Sequence, residues 1–166
     1  MSEFSSATQM VAAPALVRVF LSSPGDVVDE RNLARSFIKE QLPYLPQFRG
    51  RVAFDVVSWD DPVAVVPMLA NKTPQESVTL ALTRPATCEI TIVILWSRMG
   101  TPLPDSIRKP NGAAFVSGTE WEYLDACESP LKPVVLVYRR TEEPKVGLKD
   151  PKQDEKKEQY KRGRVF

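Results

Sequence analysis

The run "EITIVILW" (89–96) is the feature that most constrains this chain. Only a strand covered on both faces loses its polar alternation so completely, so the chain has to supply helices on either side of it and strands beside it. "VRVFLS" (17–22) is a short β-branched and aromatic run that stops at a Ser-Pro-Gly breaker. "VAFDVVSW" (52–59) and "KPVVLVYR" (132–139) read as two further strands. Between the first two lies "DVVDERNLARSFIKEQL" (26–42), where Val27, Leu33, Ala34, Phe37, Ile38 and Leu42 recur at helical spacing. Asp26 is its candidate N-cap and Pro43 its stop. "DDPVAVVPMLANKT" (60–73) holds two prolines and no clean period, and reads as a loop. "PQESVTLAL" (74–82) reads as a helix, with Thr73 as N-cap, Pro74 at the first helical position and Glu76 at capping-box spacing. A third helix begins within "SGTEWEYLDA" (117–126). The order β-α-β-α-β-α-β predicts an α/β domain: an open parallel sheet, helices on both faces, right-handed crossovers.

The 166 residues, 43% of them hydrophobic, suit one such domain with tails. Residues 1–16 lack the basic start and continuous apolar core of a signal peptide and read as a flexible leader. Residues 141–166 are dominated by charge and read as a linker or surface helix, leading into other domains of a longer parent chain. Lys and Arg total 22 against 21 Asp and Glu, so a net charge of +1 exerts no pull toward nucleic acid or an anionic membrane. No apolar run approaches the ~20 residues of a membrane span. Cys88 and Cys127 sit in apolar surroundings and read as buried thiols of a reducing cytoplasm. With no histidine and no Cys-x-x-Cys, a zinc site is disfavoured, and carboxylates become the leading candidates for reactive groups.

Ligands of open α/β sheets bind beyond the carboxyl ends of the strands, where the strand order reverses. That rule selects Ser22, Ser23 and Asp26; Trp59, Asp60 and Asp61; Trp96, Ser97 and Arg98; and Ser117 to Glu122. A Gly-x-Gly-x-x-Gly turn and a Walker lysine are both missing, which argues against dinucleotide redox chemistry and P-loop phosphoryl transfer. The Pro- and Gly-rich stretch 97–116 is long enough to be functional or disordered. Two readings stay open for the glutamates. Thr119-x-x-Glu122 and Ser117-x-x-Glu120 both have capping-box spacing. A helical wheel at ~100° per residue places Glu120 on the Tyr123, Leu124 and Cys127 stripe, so amphipathicity alone would bury Glu120 and wet Glu122. The turn "LSSPGD" (21–26) either cradles an anion at a helix start or simply caps it. Trp59 and Trp96 either stack on a ligand ring or pack under loops. Arg98 either neutralises a phosphate or is solvated.

"VFLSSPGDVVDERN", "TPQESVTLAL…CEITIVILWSRMGTPLP" and "SGTEWEYLDA" before "PVVLVY" together resemble a TIR-like domain of the divergent bacterial sort found in signalling and defence proteins. The resemblance covers about residues 17–140 and implies a flavodoxin-like sheet of four to five strands, although no fifth strand is evident. It implies cleavage of the nicotinamide–ribose bond of NAD+, with NAD+ as substrate and no prosthetic group, activation by self-association, and a single reactive glutamate on Glu122. "GTEWEYLDA" is also similar to the Gly-Thr-x-x-Glu-x-x-x-Ala segment of nucleoside 2-deoxyribosyltransferases, which likewise selects Glu122. Glu120 is the alternative, a register shift away. On this resemblance Ser22, Ser23 and Asp26 hold ribose or phosphate, Trp59 or Trp96 stacks the nicotinamide, and Ser97, Arg98 and Ser117 complete the pocket. The chain departs from the usual TIR pattern in two places: Trp121 directly precedes Glu122, and residues 60–73 lack an Arg/Gly/Pro loop tip. A non-catalytic interaction module and nucleoside deoxyribosyl transfer are the other functions this pattern allows.

Overall fold

The computed structural model describes residues 12–60 and 83–144, and residues 158, 160 and 161 near the carboxyl end. Strands β1 (Ala15–Ser22), β2 (Val52–Val57), β3 (Ile90–Leu95) and β4 (Val134–Arg139) form one sheet in the order β2-β1-β3-β4. Every neighbouring pair is parallel. β1 begins earlier than its apolar run implied, because Ala15 and Leu16 pair with Val52 and Ala53. The chain steps outward from β1 to β2, recrosses to β3, then continues to β4. Strand order therefore reverses between β1 and β3, and a crevice belongs at their carboxyl ends. β3 lies inside the sheet, as its unbroken apolarity requires.

Side chains alternate along each strand, so the sheet has two separate cores. On one face Val19, Leu21 and Val56 pack with Ile38, and Val17, Phe54, Ile90, Ile92, Ala34 and Leu42 join them. On the other face Val93 and Leu95 pack with Met99, Val116 and Tyr123. The helices α1 (Val28–Ser36) and α2 (Gly118–Cys127) thus lie on opposite faces.

α1 departs from its expected form. Its N-cap position is Val27, which makes no side-chain cap bond. Asp26 is therefore not a cap; its Oδ2 instead accepts hydrogen bonds from Ser97 N at 3.0 Å and Ser97 Oγ at 2.7 Å. Regular α-helix ends at Ser36, passes into a wide π turn (Phe37–Gln41) and closes in a 3₁₀ turn (Leu42–Tyr44). Pro43 lies inside that last turn, near its start, where a missing N–H leaves nothing unpaired. The buried line of the helix is Val27, Arg31, Ala34 and Ile38, at spacings of four, three and four. Leu33 stands about 200° from Arg31 and points to water at 70% exposure.

The stretch 97–116 is folded. Its tip closes through Lys109 N to Ala113 O (2.9 Å) and Gly112 N to Lys109 O (2.8 Å), with Gly112 at φ 82°. Cys88 is buried as expected, whereas Cys127 is exposed; both are free thiols. Cys127 is the last residue of α2 and has run past the packed part of the helix. Asp61, the loop expected to Thr73, the helix expected at 74–82, and most of residues 1–16 and 141–166 lie outside the described residues. Near the carboxyl end, residues 158, 160 and 161 are helical, and Arg139 lies over the Tyr160 ring at 5.9 Å. Among the described residues no helix is long and apolar enough to cross a membrane.

Candidate functional site

The cap of α2 separates the two glutamates. Ser117 is the N-cap, extended at φ −164°, and its Oγ accepts a hydrogen bond from Glu120 N at 3.1 Å. Glu120 reaches back, accepting Val116 N on Oε2 and Lys109 Nζ on Oε1, both at 2.6 Å. The cap is therefore Ser117 with Glu120, whose carboxylate takes the N–H of Val116, one residue before the N-cap, and Thr119 lies in the first turn of the helix. Glu122 is released from capping. It is 4% exposed, and Ser22 Oγ donates to its Oε2 at 2.6 Å.

The helical wheel thus gave the wrong face. α2 turns Thr119, Glu122 and Ala126 inward, at spacings of three and four. Thr119 and Ala126 are too small to register strongly in a hydrophobicity pattern. The larger Tyr123 and Leu124 ride half-buried on the flank.

Ser22 and Ser23 lie at the end of β1, where consecutive side chains point to opposite faces. Ser22 goes to Glu122 on α2. Ser23 goes to α1, its Oγ accepting from Arg31 Nη1 at 2.6 Å. Arg31 is 2% exposed; its Nη1 also donates to Pro24 O at 3.2 Å, and its Nη2 pairs with Asp60 Oδ2 at 2.5 Å. Asp60 Oδ1 pairs with Arg35 at 2.5 Å, and Arg35 also donates to Ser58 Oγ at 2.9 Å. Sequence reasoning missed Arg31. The signal available was its place on the Val27–Ala34–Ile38 line, where an apolar residue was due.

Asp26, held by Ser97, also has Oδ1 3.5 Å from Arg98 Nε, and Arg98 lies on Gly25, where a Cβ would come within 2.8 Å of Nη2. Gly100, at φ +104°, joins the parts: a Cβ there would stand 3.4 Å from Thr119 Oγ1, 3.5 Å from Ser117 Cβ and 3.7 Å from Pro24 Cβ. Ser22, Ser23, Asp26, Ser97, Arg98, Ser117 and Glu122 therefore gather around the carboxyl ends of β1 and β3. Within that group, Ser117 is spent on the helix cap.

The tryptophans behave differently. Trp59 lies over Arg31, 5.2 Å from the guanidinium carbon, and its Nε1 donates to Ser23 O at 3.4 Å. Trp96 carries Arg140 on its ring at 4.2 Å and donates to Glu142 O at 2.7 Å. Arg140 in turn pairs with Glu30 at 2.8 Å, so this ring belongs to the strap that leaves β4.

A carboxylate at 4% exposure beside a serine donor can stabilise an adjacent developing cation far better than one in water. Ser22, Ser23 and Glu122 are all buried, so a substrate reaches them only when neighbouring groups move. Among the described residues no three His, Cys, Asp or Glu side chains gather as a metal site. No known protein family, curated protein or solved structure matches the chain. The fold and the site together define an α/β domain with a carboxylate at the switch point of an open parallel sheet.

Proposed function

We propose that this chain is a TIR-like, flavodoxin-like domain that cleaves the nicotinamide–ribose bond of NAD+ and becomes active on self-association. The observation that carries the reading is the Ser22–Glu122 hydrogen bond at the β1 carboxyl end, with Glu120 consumed by the cap. In NAD+ the leaving nitrogen is already cationic, so nicotinamide departs neutral and needs no general acid. The ribose left behind is oxocarbenium-like. Glu122 supplies the facing negative charge, electrostatically or as a nucleophile, in the manner of retaining glycoside chemistry. Water then completes the hydrolysis, or an internal nucleophile closes a cycle. Ser22 fixes which way the carboxylate points. The low exposure of Glu122 agrees with a site that opens only when neighbouring copies assemble.

The test is nicotinamide release by concentrated protein, with and without tethering, for wild type, Glu122→Ala and Glu120→Ala. Activity lost only in Glu122→Ala supports the reading; activity retained in that variant removes it. A second reading, a non-catalytic interaction module, draws on the apolar exposure of β4, where Val134, Val137 and Tyr138 are 56%, 48% and 58% exposed. Intact NAD+ under forced oligomerisation would favour it. Base exchange on deoxynucleosides would instead indicate deoxyribosyl transfer.

A further inference from the structure

Arg31 is the bulkiest of the fully buried side chains among the described residues, and taking a guanidinium out of water carries a desolvation penalty. An apolar side chain on the same line of α1 would pack against the core with no such penalty. The charge is also incompletely matched. Asp60 is the carboxylate shared by Arg31 and Arg35, so among the described residues two guanidinium groups face one counter-charge. The Nε atoms of both arginines are buried with no hydrogen-bond partner.

That excess has one polar outlet toward the site. Ser23 Oγ accepts the Arg31 N–H at 2.6 Å, so the hydroxyl hydrogen of Ser23 must point elsewhere. A hydroxyl whose oxygen is held by a cation is a strengthened donor and a poor acceptor. An anionic oxygen suits it twice, taking the hydroxyl hydrogen and offsetting the unmatched charge. Ser22, the preceding residue, holds Glu122. The donor for an anion and the carboxylate for a sugar cation are thus anchored on consecutive residues at the carboxyl end of β1, one on each face of the sheet. A ribose carrying a 5′-phosphate, laid across that end of the strand, turns its anomeric carbon to one face and its phosphate to the other. Trp59, 45% exposed and hydrogen-bonded to Ser23 O, is the cover over this corner.

We propose that Arg31 is a positioning residue that makes the site select 5′-phosphorylated ribosyl substrates, acting through Ser23 and touching no substrate itself. The inference rests on the NAD+ reading above. It is tested by nicotinamide release from NAD+ and from nicotinamide riboside, which lacks the phosphate, under the assembling conditions that activate the full chain. Ser23→Ala, Arg31→Met and Arg31→Lys are compared with wild type, with thermal midpoints recorded alongside.

The expected result is that Ser23→Ala and Arg31→Met raise KM for NAD+ by about tenfold or more, the loss of one hydrogen bond to a charged group. The kcat should stay close to wild type, cleavage of the riboside should be unaffected, and Arg31→Lys should recover part of the loss. Should the Arg31 variants not fold, Ser23→Ala decides the matter. Calorimetric titration with inorganic pyrophosphate gives a readout free of catalysis, and binding should weaken by the same factor in Ser23→Ala. Ser23-dependent pyrophosphate binding without any nicotinamide release would leave this inference standing while the NAD+ reading fell. Equal cleavage of NAD+ and the riboside by wild type would keep the enzyme and overturn the role given to Arg31, as would pyrophosphate binding that Ser23→Ala leaves unchanged.

Discussion

Glu120 and Glu122 share a helix turn and have opposite duties, because one side chain bonds upward to a backbone amide and the other inward to Ser22. Removing the cap side chain should cost stability and leave chemistry intact. We expect Ser117→Ala to lower unfolding free energy by about 1 kcal/mol, measured by urea titration. Glu122→Gln keeps an acceptor for Ser22 while deleting the charge, so the fold should hold and nicotinamide release should fall by about a hundredfold or more. The thiols separate in the same residue-by-residue way. Burial pushes the Cys88 thiol up to about 11, while Cys127 is exposed. A thiol reagent at mildly alkaline pH should therefore label Cys127 in the native protein and Cys88 only after denaturation. Midway along β1, the Arg18 side chain and backbone N–H hold the Glu89 carboxyl down at about 2, against an ordinary 4.5. A carboxylate with a lowered folded pKa stabilises above its ordinary value and loses that contribution as pH falls. Thermal stability should thus drop between about pH 4.5 and pH 2, and Glu89→Gln should flatten that slope. The effect should be modest, because the Glu89 side chain is 43% exposed and water screens the pair.

At the scale of elements, the strands were legible, as was most of the α1 face through Val27, Ala34, Ile38 and Leu42, whereas Leu33 and Phe37 turned out exposed and the α2 face was not legible. β3 announced itself because burial on both faces leaves an unbroken apolar run, and β1 because Ser-Pro-Gly ends it. The π turn at Phe37–Gln41 has no local signature, and within it Ile38 stays packed against Val19, Leu21 and Val56. Orientation of α2 was hidden for a related reason, since its sheet-facing residues are small or charged. Arg31 was hidden by the habit of reading arginine as surface. Three of the four candidate groups, Asp61 apart, nevertheless follow the ends of β1, β2 and β3, and the fourth opens α2, which returns Glu122 to Ser22. Gly100 shows how far such a junction depends on one backbone angle. At φ +104° an L-residue is strained, and its Cβ would press on Thr119 Oγ1 at 3.4 Å. Gly100→Ala should cost about 1–3 kcal/mol in a urea titration. It should also disturb the Ser22–Glu122 pair, because the same glycine sits against the turn after β1 and the start of α2.

Across the whole molecule, one edge of the sheet is exposed in a way the other is not. The β2 edge turns Val56 and Val57 inward at 4% and 8% exposure. β4 leaves Val134, Leu136, Val137 and Tyr138 between 38% and 58% exposed, with Leu131 just before them at 68%. These side chains alternate, so both faces of the strand are apolar, and among the described residues no further strand pairs with its outer backbone. Natural edges of this kind carry lysine, proline or a bulge, and the interior of β4 has none of these. An edge this apolar and this exposed favours pairing with another chain, and a second copy is the partner that the self-association reading requires. We therefore expect the light-scattering mass to rise from the 18.6 kDa of one chain as concentration increases. Val137→Lys places a charge on the exposed α2-side of β4 without entering the core or the site, so it should hold the mass near that of one chain. If association activates Glu122, nicotinamide release per chain should climb with concentration in wild type and stay flat in Val137→Lys. A wild-type mass that stays at 18.6 kDa throughout the series would remove β4 as the assembly edge. Full activity at that mass would mean that the site opens within a single chain, through motion around Trp59 and the Ser22–Asp26 turn.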